Sequence, residues 1–302
     1  MNDKRVVFDF EIEFTNDGGL QGQGFRLDLD GDDIADEALA AHVIKELRLL
    51  MVGRVKIFNK QIVAEQHKRA TTTQPSAIAD SNATFVDLSH TIESGMITYK
   101  GLPAPLVCDH ISRLQSRQLY AEGTEFQIGR IDMVANTGTY LDTPYHRYPD
   151  GFDLADLPLP LASNLPGVVV RAAGATGREI DWALFASADV AGRAVLVHSG
   201  WDRNWRTDAY FENHPFLTEA AAVYLRDHGA RLVGIDSMNI DDTSGGARPV
   251  HSVLLAAGIP IVEHLTNLGG LPIDGFRFFA TPPKVAGMGT FPVRAHAVLS
   301  RA

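Results

Sequence analysis

The chain has 302 residues, a formal net charge of −10, and is 45% hydrophobic and 21% charged, the composition of a globular protein of one large or two ordinary domains. No run of Lys or Arg stands out, which argues against nucleic acid or an anionic membrane as the main partner. The single cysteine, Cys108, excludes an intrachain disulfide and a multi-cysteine zinc site, and in Leu-Val-Cys-Asp it reads as a small buried hydrophobe. The first residues have no apolar core of signal-peptide type and no apolar run approaches a membrane span, so cytoplasmic is the default location.

Residues 1–69 read as a unit of their own. Val7 to Phe14 alternates apolar and acidic residues, a period-2 strand. Asn16-Asp17-Gly18-Gly19 is a turn signal, and Gly24 to Asp30 alternates again, giving a hairpin. Ile34 to Met51 has helical apolar spacing behind Asp32-Asp33, acids that the helix dipole favours at that end. Val55 to Ala64 reads as a second hairpin around Asn59-Lys60. The unit is therefore ββαββ-like, with a core thin for its size. Residues 70–83 are small, polar and Pro-containing and read as a linker.

The second domain runs from 84 to 302. Strands are predicted at Thr84–Ser89, Phe126–Ala135, Gly167–Arg171, Ala194–His198, Leu232–Asp236, Ile259–Glu263, Phe276–Thr281 and Val293–Leu299. Helices are predicted at Thr218–His228, with Thr218 as N-cap and Gly229 closing it, and at Pro249–Ala257, ended by Gly258. Strands outnumber helices, so the fold class is mixed α/β with a substantial β core.

Asn136 to Asp153 carries the first chemistry. Thr137-Gly138-Thr139 permits a tight bend, Pro144 and Asp150-Gly151 add turns, and Asp142 and His146 stand four residues apart on this stiff segment. A hundred residues on, His251 opens a helix and Glu263 ends the strand after it, so the two ends of an αβ hairpin can approach. A carboxylate at the C-terminal end of a buried strand is well placed for an active site.

These motifs resemble the cyclase-type metal-dependent hydrolases that include kynurenine formamidase and isatin hydrolase. The family signature is His-Thr-Gly-Thr-His-x-Asp-x-Pro-x-His, then a late His with a Glu twelve residues after it. This chain reads Asn136-Thr-Gly-Thr-Tyr140-Leu-Asp142-Thr-Pro144-Tyr-His146, then His251 and Glu263. Gly234-Ile-Asp236, Ser199-Gly200-Trp201 and Gly289-Thr-Phe-Pro292-Val-Arg294 also resemble family landmarks. The resemblance covers about two-thirds of the chain. It implies a β-rich swivelling β/β/α domain, a small-molecule substrate and assembly as a homodimer or higher homo-oligomer.

The resemblance also assigns the two histidines around Thr-Gly-Thr and the following Asp to a divalent metal. Asn136 and Tyr140 occupy those histidine positions. Asn offers a weak neutral oxygen, and Tyr would have to lose a proton with an ordinary pKa near ~10. The expectation is no catalytic metal at the standard site. Zn2+ or Mn2+ on Asp142, His146, His251 and Glu263 is the alternative. Without a metal, Asp142, His146, His251 and Glu263 are the acid–base candidates, and Asn136 and Tyr140 can hydrogen-bond an oxyanion. Tyr99, Phe152, Trp201 and Trp205 are candidates for an aromatic substrate wall. The expected chemistry is acid–base cyclisation, dehydration or ring opening of a carbonyl-rich cyclic or aromatic small molecule. An arylformamidase-like metal hydrolase and a non-catalytic ligand-binding or scaffold homologue are the competing readings.

Overall fold

The computed structural model describes residues 4–300 apart from 16–18, 30, 48, 50–51, 65–82 and 175–176. The predicted turn at Asn16-Asp17-Gly18 and nearly all of the predicted linker 70–83 lie outside the described residues. The chain divides into two compact units. One gathers the N-terminal elements with segments 93–97 and 102–134, and the other holds 83–92, 98–101 and 135–300. Segment 102–134, which the sequence places with the second domain, thus groups by contact with the N-terminal residues.

In the first unit, β1 (Lys4–Phe14) is the central strand between β2 (Gly19–Asp28) and β3 (Val52–Ala64), both antiparallel to it. Alternation works as predicted: Val6, Phe8, Phe10 and Ile12 are fully buried. Helix α1 (Asp36–Glu46) covers part of this core with Leu39 and Val43, and is shorter than the sequence suggests. The predicted second hairpin does not form, because β3 runs straight through Asn59-Lys60. Asn59 takes a left-handed conformation, φ 53°, where the register slips between Val7↔Gln61 and Asp9↔Phe58. That slip is a bulge, and the Asn59 side chain donates to Asp9 Oδ2 at 2.7 Å. Among the described residues of 1–69 the element order is ββαβ, not ββαββ.

After β4 (Ala83–Asp87), which belongs to the second unit, β5 (Leu106–Ile111) and β6 (Ile128–Asp132) form an antiparallel pair in the first, with the one-turn helix α2 (Arg113–Ser116) between them in the chain. Leu106 and Cys108 of β5 complete the first unit's core. Cys108 is a buried free thiol, as read from the sequence.

The second unit is built on one nine-stranded sheet. Its centre is four parallel strands, β8 (Leu165–Arg171), β10 (Ala194–His198), β12 (Leu232–Ile235) and β13 (Ile261–Glu263). The short pair β9 (Glu179–Ile180) and β11 (Phe216–Leu217) lies outside this sheet. Beyond β13 come β7 (Tyr140–Asp142) and β15 (Thr290–Pro292); beyond β8 come β14 (Phe276–Phe279), β16 (His296–Ser300) and β4, all antiparallel to their neighbours. The mixed, β-rich architecture expected from the sequence is therefore the one observed.

Both faces of the parallel strands are buried, which explains their unbroken apolar runs. Val195, Val197, Val233 and Ile235 face a core shared with α3 (Glu219–Asp227) and α4 (Pro249–Ala256). Ala194, Leu196, Leu232 and Val262 face the opposite core with Leu141, Phe276 and Phe278. Thr218 caps α3 as predicted, its hydroxyl accepting from Ala221 N at 3.1 Å. Among the described residues no helix is long and apolar enough to cross a membrane.

Gly234 on β12 is a packing glycine. A Cβ there would lie 2.7 Å from Leu265 Cδ1 and 3.0 Å from Leu196 Cδ2, both fully buried. Gly234→Ala is expected to destabilise by about 1–3 kcal/mol through overpacking, read as a lowered Tm in thermal unfolding. An unchanged Tm would show that the two leucines have room to move.

Candidate active site

Strand register builds the site. On β7, Tyr140 faces Glu263 of β13, and Asp142 pairs with Ile261 on one side and Thr290 of β15 on the other. Side chains two apart share a face, so Tyr140 and Asp142 project together while Leu141 enters the core. The Tyr140 hydroxyl donates to Glu263 Oε2 at 2.5 Å, as directly opposed cross-strand residues can. Glu263 Oε1 accepts from Ile240 N at 2.7 Å.

The chain after Asp142 enters a short 3-10 turn, Pro144–His146. It returns His146 to Asp142, Nδ1 to Oδ1 at 3.7 Å. Gly289 is what admits this turn so close to β15. A Cβ on Gly289 would collide with the backbone of His146 and Tyr145, and its carbonyl accepts from Thr143 N at 2.7 Å. One residue on, the Thr290 hydroxyl donates to Asp142 Oδ1 and lies 2.8 Å from His146 Nδ1.

His251 arrives from the first turn of α4. Its Nδ1 is 2.6 Å from Asp241 Oδ2, which also accepts from His251 N at 3.0 Å, while Asp241 Oδ1 accepts from Val250 N at 2.7 Å. Asp241 therefore caps two otherwise orphaned amides of α4 and fixes the imidazole with Nε2 turned away from it. That Nε2 stands 3.8 Å from both Asp142 Oδ2 and Glu263 Oε1. The αβ-hairpin expectation that brings His251 to Glu263 matches this geometry.

The cluster is dry. Asp142 and Asp241 are fully buried, Glu263 is 1% and His251 6% exposed, whereas the His146 side chain is 36% exposed. Burial raises Glu263 to about 7, reinforced by Asp142 and opposed by His251. Burial pushes His251 down, but the nearby Asp142 carboxylate, the hydrogen bond to Asp241 and the charge of Glu263 outweigh it and hold the imidazole at about 10. Burial, then the Glu263 charge, drives the Tyr140 phenol well above its ordinary range. Tyr140 is thus a neutral donor and not a phenolate ligand.

Asn136, Trp201 and Phe152 do not join this network. Asn136 is half-buried in the loop ahead of β7, and no hydrogen bond or ion pair ties it to the cluster among the described residues. Trp201 Nε1 donates to Tyr210 O at 3.0 Å, and Phe152 packs against the core that contains Leu141. Of the expected aromatic residues, Tyr99 and Trp205 are the ones beside the cluster and its neighbour His264. Tyr99 OH lies 3.4 Å from Tyr140 OH, accepts from Asn239 Nδ2 at 2.5 Å and donates to Met238 O at 2.8 Å. His264 is ringed by Tyr99, Tyr140, Trp205 and Tyr210, and His90 stacks on Trp205 with centroids 4.0 Å apart. Burial lowers His90 to about 4 and holds His264 well below its ordinary value, so both rings are neutral at neutral pH.

Sequence reasoning named Tyr99 as a candidate for the aromatic lining but missed Asp241 and Thr290 as members of the site. Thr290 lies in the Gly289-Thr290 landmark, and Asp241 ten residues before His251; neither position announces its partner. The expectation of no metal also needs correction. Asp142, His146 and His251 each offer a ligand atom within 4.8 Å of one another, and Asp142 Oδ2 is buried without a protein hydrogen-bond partner. Ligand atoms at the usual 2.0–2.2 Å from zinc stand roughly 3.4 Å apart, close to the 3.8 Å between Asp142 Oδ2 and His251 Nε2. The residues present fit a divalent cation.

The folded protein holds its protons here more tightly than the unfolded chain. His251 moves from 6.5 to about 10, so its contribution to stability is whole below 6.5 and lost as pH rises through 10. Glu263, moved from 4.5 to about 7, acts in the same direction at lower pH. In chelator, the Tm is expected to fall as pH rises from 6.5 to 10, and to fall less steeply in His251→Gln. Parallel profiles would show that no imidazolium is held there.

Residues 86–242 match the family model described as putative cyclase. A kynurenine formamidase from Geobacillus thermodenitrificans is 27% identical over 212 residues, 70% of this chain and 95% of the relative, and one from Sphingopyxis alaskensis is 27% identical over 221 residues, 69% and 95%. A solved potential metal-dependent hydrolase with cyclase activity superposes with a TM-score of 0.56 at 27% identity, covering 73% of this chain and 99% of that one. Isatin hydrolase A from Labrenzia aggregata shares the fold, with a TM-score of 0.60 at 21% identity over 72% and 94% of the two chains. With more than half its length matched, the chain belongs to the putative cyclase family.

Proposed function

We propose that the chain is a hydrolase that cleaves or opens a C–N or C–O acyl bond in a small cyclic or aromatic carbonyl compound, with a divalent cation held by Asp142 and His251 and completed by Glu263 or His146. The observation that carries this reading is the buried, unpartnered Asp142 Oδ2 facing His251 Nε2 beyond hydrogen-bond reach. Kinship with kynurenine formamidases and with a potential metal-dependent hydrolase supports it. When bound, such a cation supplies an activated water and polarises the acyl carbonyl.

The chain's own groups do the rest. Asp241 aims His251 by gripping its Nδ1. Glu263, poised near 7, can take or return a proton near neutral pH. Tyr140 holds one Glu263 oxygen in place through its hydroxyl. His146 is the most exposed member and the one best placed to exchange protons with a solute.

A second reading has one observation of its own. Tyr140 hydrogen-bonds Glu263 where the family signature has a histidine, and the imidazolium of His251 already offsets the buried carboxylates. That balance suits metal-independent acid–base cyclisation or dehydration.

One experiment separates them. Metal content is measured on protein purified without chelator, and hydrolysis of an aryl formamide and of a fused-ring lactam is followed before and after chelation. The expected result is about one zinc or manganese per chain, activity lost on chelation and restored by the metal, and a loss of about 10²–10⁴-fold in His146→Gln. Activity indifferent to chelation in metal-free protein would favour the second reading. Intact folding with no turnover of any carbonyl substrate would leave a non-catalytic homologue.

A further inference from the structure

We infer that Thr290 sets the tautomer of His146, keeping the hydrogen on Nδ1 and leaving Nε2 as the free basic nitrogen. Thr290 is 3% exposed and stands opposite Asp142 by the pairing of β15 with β7. Its hydroxyl has two neighbours, Asp142 Oδ1 and His146 Nδ1, but a hydroxyl carries one hydrogen. A carboxylate only accepts. If Thr290 gave its hydrogen to His146, two acceptor oxygens, its own and that of Asp142, would face each other with nothing between them. The arrangement that satisfies every atom is a directed chain: His146 Nδ1–H donates to Thr290 Oγ1, and Thr290 O–H donates to Asp142 Oδ1.

Two consequences follow. Nδ1 of His146 has no lone pair left for a cation, so Nε2 is the one nitrogen of His146 through which it can hold a cation or move a proton. Thr290 is then a positioning residue that acts through His146. Its effect on turnover rests on the hydrolase reading above; the tautomer does not. Gly289 belongs to the same device, since only a residue without Cβ lets Thr290 come this close to the turn that carries His146.

The test reads the tautomer directly. Imidazole nitrogens of 15N-labelled full-length protein are recorded as purified and after chelation, at about pH 8, above the ordinary imidazole value of 6.5. The His146 signals are identified by their loss in His146→Gln. The expected pattern is protonated Nδ1 and bare Nε2 in the wild type and in Thr290→Ser, with a shift towards protonated Nε2 in the near-isosteric Thr290→Val. Where a substrate is turned over, Thr290→Val is expected to lower kcat by on the order of 10²-fold with little change in KM, and Thr290→Ser to restore it. A wild-type His146 protonated on Nε2, or a Thr290→Val that keeps the wild-type pattern, overturns the inference. Should Thr290→Val fail to fold, the wild-type and Thr290→Ser spectra decide alone. The spectrum after chelation reports the tautomer whether or not a metal or any hydrolysis is found, so the hydrolase reading can fail independently.

Discussion

Three carboxylates, Asp142, Asp241 and Glu263, are buried around one imidazole, and the rest of this site answers that constraint. An isolated buried carboxylate is costly, and the cost is met only by partners with good geometry. Asp241 is satisfied by two helix amides and His251. Glu263 has an amide on one oxygen and a phenol on the other. Asp142 has the Thr290 hydroxyl on one oxygen and no protein partner on the other. Of these six oxygens, Asp142 Oδ2 alone faces the shared space uncommitted, and His251 Nε2 is what it faces. The focus of the chemistry is set by where compensation stops.

The sheet makes that geometry rigid. Tyr140 and Asp142 cannot be moved apart, because they are the two like-facing residues of a three-residue strand clamped between β13 and β15. A one-residue slip would turn both into the core and Leu141 into the site. The order β15-β7-β13 thus fixes Thr290, Asp142, Tyr140 and Glu263 by backbone pairing alone, and the loops supply only His146, Asp241 and the helix start at His251. Preorganisation of this kind suits a site whose electrostatics act in a dry pocket.

Much of this was legible in the sequence, for identifiable reasons. The parallel strands are buried on both faces and read as continuous apolar runs. Thr218 and Gly229 mark the ends of α3 because capping chemistry is local. His251 and Glu263 could be joined because a helix, a glycine turn and a strand leave few ways to place their ends. Illegible features depend on pairing between distant residues. Asn59-Lys60 looks like a hairpin turn because Asn tolerates left-handed backbone, and only the slipped register with Asp9 shows it to be a bulge. The grouping of β5 with the N-terminal strands has no local signal. Asp241 and Thr290 are ordinary polar residues until β12 and β15 are placed.

Tyr140 is the substitution with the widest consequence. A histidine there would add a neutral nitrogen ligand; the phenol, held well above its ordinary range by burial and Glu263, adds a hydrogen bond instead and ties up one Glu263 oxygen. The site therefore has one carboxylate oxygen, Asp142 Oδ2, without a protein hydrogen-bond partner among the described residues. It also has a competitor for any cation, since the proton held on His251 at about 10 lies in the gap between Asp142 and Glu263 that a metal would enter. Binding a cation through Nε2 must expel that proton. Tyr140 thus commits one oxygen of Glu263 to a hydrogen bond and leaves Asp142 Oδ2 as the carboxylate oxygen open to a ligand.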